Sequence, residues 1–252
     1  MNVKGNLLIF STDNEERKDV RRLKEKKLQI ALDENNNLPM FETNNIVYIK
    51  TLAENKVEEI FGTSKFYIEQ LYTWGDPDYY TDDSELIITY LVIINKKNIK
   101  NNLKNLQFYS IDIVDEENSK IQKVILSNGN KKIEYKIHTI IKRKRENIEY
   151  TNKLVGKSEI NELTAIILHT GIKRLRNRIE NTNIAFSFLD NEFAISELQQ
   201  VYEIILDKKL VSANFRKKIA PMIKKTEKVV KESAYRPSNQ YTFNEEYLRN
   251  WV

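Results

Sequence analysis

Apolar positions in the first 95 residues fall into short runs divided by charged and turn-forming residues. Residues 3–10 are an apolar run read as a first buried strand. Residues 14–32 scatter Val20, Leu23, Leu28 and Ile30 to Leu32 among dense charges, which fits either a helix or a long exposed hairpin. Asp33 to Asn37 is a turn cluster. Ile46 to Ile49 is strand-like. Apolar residues at 52, 53, 57, 60 and 61 have helical spacing, with Thr51 as cap and Gly62 as stop. Residues 66–74 are strand-like and end in Gly75-Asp76-Pro77-Asp78, a strong turn signal. Residues 86–94 are a continuous β-branched run, the pattern of a buried strand.

Three further short runs, at 108–114, 122–126 and 133–141, are separated by turns, with Ser127-Asn128-Gly129-Asn130 a hairpin signal. Lys142-Arg143-Lys144-Arg145 reads either as a solvated strand end or linker, or as a nucleic-acid contact. Residues 158–179 repeat apolar side chains at 160, 163, 166, 167, 172, 175 and 179, a long helix. Ser158, Glu159 and Glu162 at its start suit the helix dipole. Beyond it the pattern predicts a strand at 184–188, then helices at 196–206 and 212–223, with Ser196 and Ser212 as N-caps. Strands at 226–231 and 240–243 flank Ser233 to Ser238 as a hairpin. Strand, helix, turn, basic helix and wing is the order that sets a cationic helix in a DNA groove.

Composition narrows this picture. The chain has 252 residues, enough for one large domain or two ordinary ones. The charge pattern and the predicted elements suggest a sensing domain at 1–150 and a linker helix with a winged helix at 151–252, joined between about 142 and 160. Cysteine is absent and there are only two histidines, which argues against disulfides and against thiolate or histidine metal sites. No stretch approaches the ~20 apolar residues that cross a membrane, and no signal-peptide pattern is present, so a cytoplasmic location is expected. The charge is uneven. Residues 1–137 carry 20 Lys and Arg against 22 Asp and Glu; residues 138–252 carry 21 against 14. One half is thus slightly acidic and the other strongly basic, as in a chain with one nucleic-acid-binding domain.

Within the basic half, the second helix places Phe215, Ile219 and Met222 on one face. Ser212, Asn214, Arg216, Lys217 and Lys218 lie elsewhere on it and are the candidate DNA contacts, with Lys228 and Arg236 on the wing. Arg and Asn suit base edges and Lys suits phosphate. The first helix buries Leu198, Val201, Tyr202 and Ile205.

Residues 186–243 resemble the C-terminal winged helix of the NrtR-type, Nudix-related transcriptional regulators. Phe193 to Leu206, Asn214 to Ile219 and Arg236-Pro237 to Tyr241 carry the resemblance. Gly171 to Ile179 is similar to the arginine-rich helix that joins the two domains there, and Ile68 to Asp78 to the segment after the Nudix helix. The resemblance implies an α+β chain: a Nudix-like mixed α/β N-terminal domain followed by a C-terminal winged helix-turn-helix domain.

The departures bear on function. A Nudix box needs several glutamates to hold Mg²⁺. Aligned on Gly62, this chain has Lys56 and Ile60 in place of two of them and keeps Glu59. Met40 and Phe41 replace two glycines. Glu58 and Glu59 are therefore read as solvated helix residues, with no catalytic residue, metal site or cofactor expected. Tyr79-Tyr80-Thr81-Asp82-Asp83 replaces the arginines that suit an anionic nucleotide such as ADP-ribose. The candidate ligand residues are Gln70, Tyr72, Trp74, Asp76 and Tyr79; the rings of Tyr72, Trp74, Tyr79 and Tyr80 either stack on a base or sugar or are strand core and surface turn. The leading expectation is a ligand-responsive regulator, a repressor, that binds a double-stranded DNA operator as a homodimer and senses a nucleotide or sugar derivative. The alternatives are a Mg²⁺-dependent ADP-ribose-type pyrophosphohydrolase with an accessory winged helix, and a protein-interaction module.

Overall fold

The computed structural model describes residues 2–15, 25–43, 48–75, 85–117, 120–230 and 238–247. A nine-stranded mixed sheet forms its centre. The strands are β1 (Asn2–Glu15), β2 (Glu25–Asp33), β3 (Met40–Thr43), β4 (Tyr67–Trp74), β5 (Glu85–Ile93), β6 (Leu106–Asp115), β7 (Ile121–Ser127), β8 (Lys132–Lys144) and β9 (Asn147–Val155). Their order is β4-β5-β1-β2-β6-β7-β8-β9, with β3 also paired to β1. β1 and β5 run parallel, and the other pairs are antiparallel.

Helix α1 (Ile49–Phe61) covers one face and α2 (Glu162–Ile179) the other. That is why Leu7 to Phe10 of β1 read as an unbroken apolar run, since a central strand covered on both faces has no solvent side. Val3, Leu7 and Ile9 pack with Ala53, Val57 and Phe61 of α1. Leu8 and Phe10 face α2, which comes so close that a Cβ on Gly171 would lie 2.1 Å from Leu8 Cδ2. This second core is continuous through α2 into α3 (Ile195–Leu206) and α4 (Ser212–Ile219), reaching Leu198, Val201, Tyr202, Phe215 and Ile219. Strands β10 (Ile223–Val230) and β11 (Ser238–Phe243) form the wing. No helix among the described residues is long and apolar enough to cross a membrane.

The stretch 14–32 resolves toward the hairpin: β1 and β2 pair antiparallel from Phe10↔Ile30 to Glu15↔Glu25. Helix α1 starts before Thr51, with Tyr48 at its N-cap in the left-handed region. The strand expected at 46–49 is not one at its end, because Ile49 opens α1; residues 46 and 47 lie outside the described residues. Gly62 stops α1 as expected, at φ 68° with its N–H donating to Glu58 O at 2.8 Å.

Helix α2, expected from residue 158, starts at Glu162 with Asn161 as its cap: the Asn161 side chain accepts from Thr164 N at 2.8 Å, while Ser158 Oγ donates to Glu134 O. Likewise Ala194 and Val211, not Ser196 and Ser212, precede α3 and α4. The Ala194 N–H is satisfied instead by the Glu197 carboxylate at 2.8 Å. Helix α4 ends at Ile219 because Pro221 favours a 3-10 turn over 220–222.

Two elements differ from the expectation. Residues 184–188 form a 3-10 helix, not a strand. Periodicity cannot separate the two in a five-residue apolar run; here Ile184, Ala185 and Phe188 are all buried. The strand role beside the wing falls to Phe193, whose N–H and C=O bond Tyr241 at 3.0 and 2.9 Å. The second difference is β9, where the pattern predicts no element, although a solvated strand end is one reading of residues 142–145. Its alternation of Ile148, Tyr150 and Leu154 with polar residues was hidden by charge, and the basic run 142–145 is the tip of the β8–β9 hairpin. The sheet therefore continues past residue 150.

Candidate nucleic-acid interface

Helix α4 is held by Phe215 and Ile219, both buried, with the Phe215 ring 5.1 Å edge-on to Tyr202 of α3. Ser212, Asn214, Arg216, Lys217 and Lys218 are all exposed. They do not present equally. Lys218 Nζ sits 3.5 Å from Glu180 Oε1 and 5.8 Å over the Tyr202 ring. Among the described residues Arg216 and Lys217 have no ion-pair partner. The α4 surface is therefore a short cationic face with two uncommitted cations and an exposed amide, fixed by a buried aromatic pair. Lys228 lies on β10, its side chain outside the described residues, and Arg236 lies outside them altogether. Lys225, exposed on β10, was missed by the sequence reading.

The candidate ligand strand is β4, an edge strand paired with β5. Gln70 is exposed and donates to Thr73 Oγ1 at 2.9 Å. Tyr72 is half exposed, its ring 4.8 Å from Trp74. Trp74 is buried and donates from Nε1 to Thr89 Oγ1 at 2.9 Å. Its ring belongs to the core, so Tyr72 and Gln70 are the members of the set that face solvent. Asp76 and Tyr79 lie outside the described residues.

Sequence reasoning missed how this strand is tied to the rest. The β4–β5 ladder slips between Gln70 and Tyr72, a bulge at Leu71. Arg174 Nη2 donates to the freed Leu71 carbonyl at 3.0 Å. Arg178 Nη1 and the Tyr67 hydroxyl both donate to Glu69 Oε2, the latter at 2.6 Å. Burial, reinforced by that carboxylate, pushes the Tyr67 phenol up to about 12. Arg176, between them in sequence, points the other way: its Nε donates to Ile205 O at 3.0 Å, at the C-terminal end of α3. The alternation Arg174, Arg176, Arg178 was the available signal. It makes α2 a strut between β4 and the helix-turn-helix.

On α1, Lys56 Nζ donates to Glu59 Oε1 at 2.6 Å, and Glu58 is exposed. A lysine ammonium against the Glu59 carboxylate supplies the positive charge that a dication would bring, so this pair does not suit a dication. Among the described residues no three His, Asp or Glu side chains group as a metal site.

Residues 185–243 match the model of the NrtR DNA-binding winged helix domain. No curated protein sequence matches the chain. Solved structures do. Shewanella oneidensis NrtR complexed with a 27mer DNA superposes at TM-score 0.63 and 14% identity, over 98% of this chain and 95% of that one. Another structure of Shewanella oneidensis NrtR gives 0.57 at 13% identity, over 97% and 94%. A MutT/nudix family protein from Enterococcus faecalis gives 0.62 at 16% identity, over 96% and 86%. Residues 185–243 are thus similar to the NrtR DNA-binding winged helix domain, and the chain as a whole shares the fold of these structures, with a Nudix-like N-terminal domain.

Proposed function

We propose that the protein is a transcriptional repressor that binds an operator as a homodimer through α4 and the wing, and that releases or grips DNA in response to a small molecule. The exposed, uncommitted Arg216 and Lys217 on a helix anchored by Phe215 and Tyr202 carry this reading. The match of residues 185–243 to a DNA-binding domain and the DNA complex of the Shewanella oneidensis protein support it. The effector is a nucleotide or sugar derivative seated beside Gln70 and Tyr72 of β4. Trp74 supports Tyr72 from beneath.

The strut through Arg174, Arg176 and Arg178 supplies the route from that strand to α3. A ligand that displaces β4 shifts the anchoring of α2, and with it the winged helix. The molecule is a regulator rather than a hydrolase. Glu59 favours the hydrolase reading, but its pairing with Lys56 leaves too little charge for Mg²⁺.

The test is fluorescence anisotropy of the full chain with DNA from upstream of its own gene. Salt-sensitive binding is expected, with Arg216→Ala weakening it by about tenfold or more, the scale of one good base or phosphate contact. Equal binding by wild type and Arg216→Ala would refute the assignment. Release of AMP from ADP-ribose with Mg²⁺, lost in Glu59→Gln, would instead establish the hydrolase.

A further inference from the structure

Strands β2 and β6 pair only from Asp33↔Leu106 to Gln29↔Ser110. Both strands continue beyond that point, β2 to Glu25 against β1 and β6 to Asp115 against β7. The sheet therefore splits, and among the described residues no other strand pairs with β2 or β6 along that edge. The Lys27–Asp112 ion pair, 2.9 Å, spans the gap where the ladder would have continued. The opening is a cleft of about 660 Å³, closed on the α2 side by Ile172 and Arg176 and at one end by Glu203 to Lys209 of the helix-turn-helix. Leu28, Ile113, Ile125 and Ile204 give it apolar walls.

Its cations are mostly committed. Lys209 meets Glu203 at 3.1 Å, Arg176 meets Asp207 at 3.8 Å, and Lys208 turns to Glu180 at 3.8 Å. Lys26 differs: it is 8% exposed, and its side chain makes no hydrogen bond or ion pair with the described residues. The carboxylates that it senses at longer range are Glu197, Asp190 and Asp13. Each is already engaged, by the Ala194 N–H, by Asn95 with Lys97, and by Lys96. Burial lowers the pKa of the Lys26 ammonium. An ammonium on a largely enclosed side chain, with no anion close to it among the described residues, carries a desolvation cost, and an arriving anion offsets part of it.

We propose that this cleft is a second small-molecule site, distinct from β4, that takes an organic anion: a carboxylate or phosphate on Lys26 and an apolar body between Leu28, Ile113 and Ile172. Strand β4 stands at the far edge of the sheet, three strands from β2. Because α3 forms part of the cleft wall, a ligand here touches the helix-turn-helix directly. The inference needs no DNA and stands apart from the regulator reading.

The experiment titrates the full chain with 8-anilinonaphthalene-1-sulfonate, an apolar body bearing one anionic group, and reads its fluorescence. One saturable site is expected, emptied by decanoate or hexyl phosphate but not by equal concentrations of inorganic phosphate. Which of the two competes better separates a carboxylate from a phosphate ligand. Lys26→Met is expected to weaken binding by about tenfold, the loss of one charge-assisted contact, and Lys26→Arg to retain it. Lys26→Met removes a buried charge and folds at least as stably. Ile113→Trp fills the cleft and abolishes the signal, whereas Tyr72→Ala leaves it unchanged. The proposal is overturned if wild type shows no saturable binding, if Lys26→Met and Ile113→Trp bind as wild type, or if Tyr72→Ala is the variant that loses the probe. None of these results bears on operator binding, which the anisotropy assay reads separately.

Discussion

Replacing Glu69 by Ala should unlock the joint between β4 and α2. The Glu69 side chain is 14% exposed and one of its oxygens takes both the Tyr67 hydroxyl, at 2.6 Å, and the Arg178 guanidinium. Its other oxygen lies 3.8 Å from Arg174. Hydrogen bonds to a charged group contribute about 1.5–3 kcal/mol each, and stranding a buried partner adds to the loss. The arginines are 37% and 39% exposed, so water recovers part of their interaction once the carboxylate is gone. The tyrosine, more enclosed, recovers less. The net loss is about 2–4 kcal/mol. In a chain of this size that lowers the melting temperature by about 5–10 °C. Urea denaturation of wild type, Glu69→Ala, Glu69→Gln and Arg178→Met measures it. Glu69→Gln keeps an acceptor for Tyr67 and should lose about half as much. The cycle of Glu69→Gln with Arg178→Met should give a coupling of about 1–2 kcal/mol. A loss below about 0.5 kcal/mol in Glu69→Ala, the level of an ordinary surface change, would refute the strut.

Three further outcomes follow from the same coordinates. His169 is buried with both ring nitrogens unpaired, and burial, helped by Lys173 and Arg176, pulls its pKa to about 4 from 6.5. The unfolded chain therefore takes up the proton first as pH falls. Stability is full above pH 6.5, and about 3 kcal/mol is lost between 6.5 and 4. Urea midpoints across that range should show it, and His169→Leu should flatten the profile; parallel profiles would reject the assignment. Gly171→Val should cost about 3 kcal/mol, because its Cβ meets Leu8 at 2.1 Å and Phe10 at 3.2 Å in a filled core. Adding Leu8→Ala should recover part of that in the same denaturation assay, and full stability in the single variant would show that α2 sits farther from β1. Lys217→Ala should reduce the salt slope of DNA binding by about one. Lys218→Ala, already engaged with Glu180, should change the slope less, and the reverse order would exchange their roles.

Local pattern determined much of this protein. The run Leu7 to Phe10 announced a central strand, the spacing from Leu52 to Phe61 with Gly62 announced α1, and Leu198, Val201, Tyr202 and Ile205 announced the inner face of α3. These succeed because period and burial are set by neighbours a few residues apart. The exposed positions of α4 were legible for the same reason, since Phe215 and Ile219 fix which side is inward. The rest required partners distant in the chain. Residues 184–188 form a 3-10 helix, and it is Phe193 that pairs with Tyr241 of the wing. Between the two readings of Trp74, a ligand ring or strand core, the sequence did not choose; its burial and the bond of its N–H to Thr89 across the ladder come only from the assembled sheet. The three arginines of α2 divide between Leu71, Glu69 and Ile205, residues up to 109 positions away. The split between β2 and β6 leaves no local trace, because the missing pairs are backbone contacts across more than eighty residues. Periodicity reports which side of an element is dry; only the assembled sheet and helices decide what each polar side chain meets there.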